Sequence, residues 1–223
     1  MSVIVIHVHK DCLKNRNLMN KQEVIELYSH LINSYHFLSP KIKKVDDNGF
    51  GFIPSDISIL EEVIDEIERD VIENKFKSDL AAYYHAKDGF NFIDIGCGIP
   101  IFAYCIKRAF SNFHVYGLEL NKDICDYIKK TPIGNEIGMI KKDALLYTKY
   151  DKYTYLYMYT PLIEAEPMNQ LLMYVLKNMK KDSILFLNRT NAYPLIDYID
   201  EIEKVAEIKN FESDSYLHKI TKK

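Results

Sequence analysis

The sequence predicts an α/β domain with a mostly parallel sheet covered on both faces, preceded by a mostly helical segment. Three observations carry that expectation. From Phe90 onward, short apolar runs alternate with amphipathic stretches, and strands alternating with helices build a parallel sheet with helices on its faces. Before residue 88 the apolar residues recur at helical spacing instead. The first apolar run, residues 92–95, ends in Gly96-Cys97-Gly98, a strand–turn–helix junction of the kind where open α/β sheets bind ligands. The organisation expected is therefore residues 1–88 as a helical extension capping a cleft, and residues 89–223 as the ligand-binding domain.

In chain order, residues 3–9 alternate and are rich in β-branched side chains, which predicts a short strand. Residues 21–37 place Val24, Ile25, Tyr28, Leu31, Ile32 and Tyr35 on one helical face, and Ser39-Pro40 ends the helix. Residues 41–54 contain Asp47-Asn48-Gly49 and Gly51 and read as a loop. Ser55, or Ser58, then caps a second helix with the stripe Ile59, Leu60, Val63, Ile64, Ile67 and Val71. A further helix is expected at 77–87. The α/β part follows with strands at 92–95, 114–118, 137–140, 153–159 and 183–187. Helices are expected through Ala109 and at 122–130, 168–179 and 195–203. Residues 205–211 and 215–220 close the chain as a hairpin, one of its strands antiparallel to the sheet.

Composition narrows the function. The chain has 223 residues, 48% hydrophobic and 27% charged, enough to bury a core without metal or disulfide staples. With 29 basic and 32 acidic residues the net charge is -3, so no global field draws it to nucleic acid, although a local basic patch stays possible. Cysteines 12, 97, 105 and 125 form no CxxC pair, which suits reduced thiols and a cytoplasmic setting. The apolar start, residues 1–8, is too short for a signal peptide and lacks its basic flank. No run has the length of a membrane span. His7, His9 and Cys12 lack a convincing third ligand, so no metal is expected. His85, beside Tyr83 and Tyr84, reads as structural.

The chemistry of the glycine turn is more specific. A dinucleotide site wants a third glycine at 101, where Ile101 stands. Asp94, two residues before Gly96, would repel a pyrophosphate by roughly 4 kcal/mol at 4 Å and an effective dielectric near 20. It would attract the ammonium and sulfonium of S-adenosylmethionine. Glu119, closing the second strand, suits ribose hydroxyls. Asp143 after the third strand suits an adenine amino group, with the Ala144 amide on the ring.

Through Asp94-Ile95-Gly96-Cys97-Gly98, Glu119, Asp143 and the closing hairpin, residues 90–222 resemble the class I, seven-strand S-adenosylmethionine-dependent methyltransferases. The resemblance implies a Rossmann-like seven-stranded methyltransferase sheet with S-adenosylmethionine as cofactor. It assigns cofactor binding to Asp94, Gly96, Cys97, Gly98, Glu119, Leu120, Asp143 and Ala144. Pro100 departs from the family's usual small residue, and proline is tolerated at a helix start.

The exit of the fourth strand, Tyr155-Leu156-Tyr157-Met158-Tyr159-Thr160-Pro161-Leu162, is where such enzymes face their acceptor. It lacks both the Asn/Asp-Pro-Pro-aromatic motif of base amino methylation and the Pro-Cys nucleophile of cytosine C5 methylation. Tyr159 and Thr160 are the catalytic candidates; packing explains alternate tyrosines equally well. Residues 49–56 resemble a segment of seven-strand protein-lysine methyltransferases, which would put Phe52, Pro54 and Ser55 at the substrate entrance; an interhelical loop is the other reading. The expectation is a methyltransferase for an N or O nucleophile, with a protein side chain such as lysine as the leading acceptor and a small molecule as the alternative. The alternatives are a non-catalytic interaction protein on this fold and an NAD-dependent oxidoreductase.

Overall fold

The computed structural model describes residues 19–35, 54–77, 90–159, 164–190, 202–209 and 214–222. Helix α1 spans Lys21–Tyr35 and opens on a reciprocal cap. Asn20 Oδ1 accepts the Glu23 amide at 3.0 Å, and the Glu23 carboxylate accepts the Asn20 amide at 2.7 Å. Helix α2 spans Ile57–Lys77. Its cap is Asp56, whose Oδ1 accepts from the Ser58 amide at 2.9 Å and from the Ser58 hydroxyl at 2.7 Å. This corrects the expectation that Ser55 or Ser58 caps it: Ser55 is buried and bonded elsewhere.

The α/β part runs β1 (Asn91–Ile95), α3 (Ile101–Ala109), β2 (His114–Glu119), α4 (Lys122–Ile128), α5 (Pro132–Glu136), β3 (Gly138–Lys141), β4 (Tyr155–Tyr159), α6 (Ala165–Asn178), β5 (Ile184–Thr190), β6 (Ile202–Lys209) and β7 (Asp214–Thr221). The strand order is β3-β2-β1-β4-β5-β7-β6. β1 to β5 pair in parallel, while β7 is antiparallel to both β5 and β6. The order reverses between β1 and β4, so a crevice is set at their C-terminal ends.

Alternation along the strands builds two cores. Phe92, Tyr155, Tyr157, Ile184, Phe186 and Leu217 face α1, α2 and α3 and share a packed cluster with Val24, Tyr28 and Ile59. Ile93, Ile95, Leu156, Met158, Leu185 and Leu187 face α6. Helices α1 and α2 thus pack directly on the sheet. Among the described residues, no helix is long and apolar enough to cross a membrane.

Polar contacts fix α2 on its face. Buried Glu66 accepts from Lys219 Nζ at 2.9 Å and from Arg69 Nη1, and Tyr155 Oη donates to Asp70 at 2.7 Å. Breaking a buried pair strands the remaining charge. Glu66→Ala is expected to lower stability by about 3 kcal/mol, read as a drop in urea midpoint at unchanged slope. Glu66→Leu with Lys219→Met should recover most of it.

Several boundaries differ from expectation. The third strand lies one residue later, and the fifth extends to Thr190 because β7 pairs along its whole length. Helix 122–130 stops at Ile128, and the Thr131 hydroxyl caps the unexpected five-residue α5. Two residues of the expected helix at 195–203 belong to β6 instead: Ile202 and Glu203 pair with Ile220 and Lys219, a ladder that overrides local helix preference. The rest of that helix, 195–201, lies outside the described residues. So do the expected strand 3–9, the loop up to residue 53 and the helix beyond Lys77.

Candidate functional site

The glycine turn leaves β1 with Gly96 at φ 70 and Gly98 at φ 52, values that favour glycine. The amides of Gly96 and Cys97 both donate to the Leu118 carbonyl, at 2.8 and 3.1 Å. The turn is thereby bound to β2 and passes directly over Gly117. A Cβ on Gly117 would lie 2.7 Å from Cys97 Sγ and 3.3 Å from Pro100 Cβ. Gly117 was not among the expected site residues, yet a glycine inside a strand marks a close approach of another backbone.

Glu119 at the end of β2 accepts the Gly98 amide at 2.9 Å and the Asn121 amide at 2.7 Å, one on each oxygen. Each oxygen keeps a lone pair for a further donor. Asp143, after β3, accepts the Leu145 amide at 2.8 Å and caps the short turn Ala144–Leu146. Tyr150 holds that turn by donating to the Ala144 carbonyl at 2.8 Å. Leu120 and Leu146, which follow the two acids, are 56% and 64% exposed. Exposed leucines at these strand exits offer apolar surface for a flat base.

Asp94 is different. It is only 5% exposed. Burial, and then the Glu119 charge, push its carboxyl from 3.8 up to about 8, with the Ala103 amide as its hydrogen-bond partner pulling the other way. Ala103 is in the first turn of α3, whose cap residue Pro100 has no capping side chain. The Asp94 carboxyl thus lies beside the start of that helix. A buried carboxyl held near neutrality at a glycine turn is poised to ionise when a cation arrives. Cys97 is buried and its thiol is pushed up by burial and by Asp94, so it is a packing group.

On the same sheet face, Asp94 pairs in register with Tyr157 of β4. Tyr157 is buried, stacks on Phe102 of α3 at 3.9 Å between centroids, and meets the Ser55 hydroxyl at 2.5 Å. Tyr28 of α1 donates to the Ser55 carbonyl at 2.7 Å. Asn188 of β5 donates from Nδ2 to Tyr157 Oη at 3.3 Å, and its Oδ1 has no partner. A buried carbonyl left unpaired costs about 1–3 kcal/mol. Neither Asn188 nor Tyr28 was expected at the site. A polar residue closing the otherwise apolar run Ile184-Leu185-Phe186-Leu187 was the signal for the first.

Tyr159, a catalytic candidate, is half-buried at the end of β4, and burial followed by the Asp56 charge raises its hydroxyl. Thr160 and Phe52 lie outside the described residues. Ser55 is placed against this face through its Tyr157 contact, and half-buried Pro54 precedes it in the chain. The structure thus brings together Asp94, Gly96, Gly98 and Glu119, with Asp143 and Ala144 at the next strand end.

No protein-family model matches the sequence, and no curated protein matches it. Solved structures do. An RNA methyltransferase from Salinibacter ruber, in complex with S-adenosyl-L-homocysteine, superposes with TM-score 0.52 at 9% identity, over 77% of this chain and 95% of that one. TrmN from Thermus thermophilus gives 0.49 at 13% identity, over 62% and 45%. A precorrin-6y C5,15-methyltransferase from Geobacter metallireducens gives 0.46 at 16%, over 62% and 83%. The fold is that of the class I methyltransferases.

Proposed function

We propose that the chain is an S-adenosylmethionine-dependent methyltransferase acting on a nitrogen or oxygen nucleophile. The observation that carries the reading is the joining of turn and acid: the Gly98 amide is held by the Glu119 carboxylate, with buried Asp94 beside them. S-adenosylmethionine would supply a methyl group on a positively charged sulfur, a carbon ready for displacement. Asp94 would face its cationic part, Glu119 the ribose hydroxyls, and Asp143 with the Ala144 amide the adenine. Leu120 and Leu146 would cover the base. Glu119 also keeps the turn open by bracing Gly98.

The acceptor would lie at the exit of β4 near Tyr159, under the segment that carries Ser55 and Asp56. The site's work there is alignment of a nucleophile, and proximity supplies much of the rate. A protein lysine in particular has no support from the comparisons, so the acceptor is kept at nitrogen or oxygen. Pyrophosphate-bearing cofactors fit poorly because Ile101 stands where a dinucleotide turn has its third glycine and the buried Asp94 carboxyl lies at the turn.

Titration calorimetry with S-adenosylmethionine, S-adenosylhomocysteine and NAD tests this. The first two should bind and NAD should not. Glu119→Ala should weaken the bound pair about 10- to 100-fold, the loss of charge-assisted hydrogen bonds. Preference for NAD, or no binding by any of the three, would falsify the reading.

A further inference from the structure

We infer that Asn188 forms the wall of the acceptor pocket and that its Oδ1 takes a hydrogen bond from an N–H of the acceptor, which makes the acceptor an amine. The inference rests on the methyltransferase reading and names the substrate class of that site.

Asn188 is 1% exposed, and its Oδ1 is a buried side-chain acceptor without a partner. Buried polar atoms in folded chains are nearly always satisfied, and exceptions call for a ligand or a role. As the groups are placed, no donor among the described residues reaches it. The Asn188 Nδ2 is engaged by Tyr157, Tyr157 by Ser55, and the Ser55 carbonyl by Tyr28. These bonds fix Asn188 in place and leave one oxygen unused.

Its position suits an acceptor. Asn188 pairs in register with Tyr159 and lies on the sheet face of Tyr157, which is itself level with Asp94. The face therefore runs from the cofactor turn, through the two tyrosines, to the unpaired oxygen. The charged groups felt by Tyr28, Tyr157 and Tyr159 are Asp94 and Asp56, both acidic. Among the described residues this face presents carboxyls, hydroxyls and an amide oxygen, a set that favours an N–H donor, neutral or protonated. They disfavour carboxylate or phosphate groups, which would meet the Asp56 charge.

The test uses sinefungin, which carries a primary amine where S-adenosylmethionine carries its methylated sulfur. Wild type should bind sinefungin about tenfold more tightly than S-adenosylhomocysteine. Asn188→Leu should abolish that preference while its affinity for S-adenosylhomocysteine and its melting temperature stay at or above wild type, since an apolar side chain removes the unsatisfied oxygen. Asn188→Asp, which keeps the acceptor oxygen, should retain the preference. Binding of both ligands by wild type without preference, or a preference that survives in Asn188→Leu, overturns the inference alone. No binding of either ligand overturns the cofactor reading and the inference with it.

Discussion

Asp94→Asn is expected to give a protein that is more stable and binds its cofactor worse. In the folded chain the Asp94 carboxyl titrates near 8 because it is buried and faces Glu119, against an ordinary 3.8. Between those values the folded chain holds a proton that the unfolded chain has released. Raising the pH from about 4 to about 8 therefore favours unfolding, and the slope from this group vanishes outside that window. Asparagine keeps an oxygen for the Ala103 amide and has no charge to bury. The stability gain should be small at pH 5 and reach about 2–4 kcal/mol near pH 8. Thermal melts of both proteins across pH 5–8 read it directly, and a gain that is flat with pH would show that Asp94 is not the group responsible. Cofactor affinity should fall about 10- to 100-fold, the worth of a charge-assisted contact. In wild type at pH 7, a cation docking on Asp94 drives off its proton. The binding enthalpy should then vary with the ionisation enthalpy of the buffer, and in Asp94→Asn it should not. Stability surrendered at a binding site is a common trade.

Gly117→Ala should damage the site through its glycine turn, leaving the acids proposed to hold the cofactor, Asp94, Glu119 and Asp143, unchanged. The new Cβ would stand 2.7 Å from Cys97 Sγ, 3.1 Å from Met139 Sδ and 3.3 Å from Pro100 Cβ. Met139 is flexible and can give way. Cys97 cannot move far, because its amide is bonded to Leu118 and its side chain is buried. The turn must lift, at about 1–3 kcal/mol for an overpacked core. The lift also strains the Gly98–Glu119 hydrogen bond, so cofactor affinity should fall along with stability. Cys97→Ala removes the atom that clashes. Alone it should cost less than about 1.5 kcal/mol; combined with Gly117→Ala it should restore both the melting temperature and the affinity in large part. A double-mutant cycle measures the coupling. If the two changes simply add, the turn does not rest on Gly117 in the way described.

The side of the site proposed for the cofactor was legible because its signals are local. Asp94, Gly96 and Gly98 sit within five residues, and Glu119 and Asp143 each end an apolar run. The side proposed for the acceptor was only partly legible. Tyr157 and Tyr159 stood out, but the partners that give Tyr157 its role come from α1, the start of α2 and β5. Ser55 was read as a possible entrance residue and as a helix cap; it is bonded to a tyrosine 102 positions away. The start of β6 departs from the helix its residues predict because a ladder with β7, and not local preference, makes Ile202 and Glu203 extended.

By itself, then, the sequence determined the α/β class, the mainly parallel sheet with its closing antiparallel hairpin, and the chemistry of the turn. Periodicity, glycine placement and charge type are properties of neighbours along the chain. Only the tertiary structure decided that the Asp94 carboxyl is held near neutrality, that Gly117 must lack a side chain, and that Asn188 presents an unpaired oxygen beside Tyr157. Each of these depends on burial and on groups distant in sequence, which a linear pattern does not record.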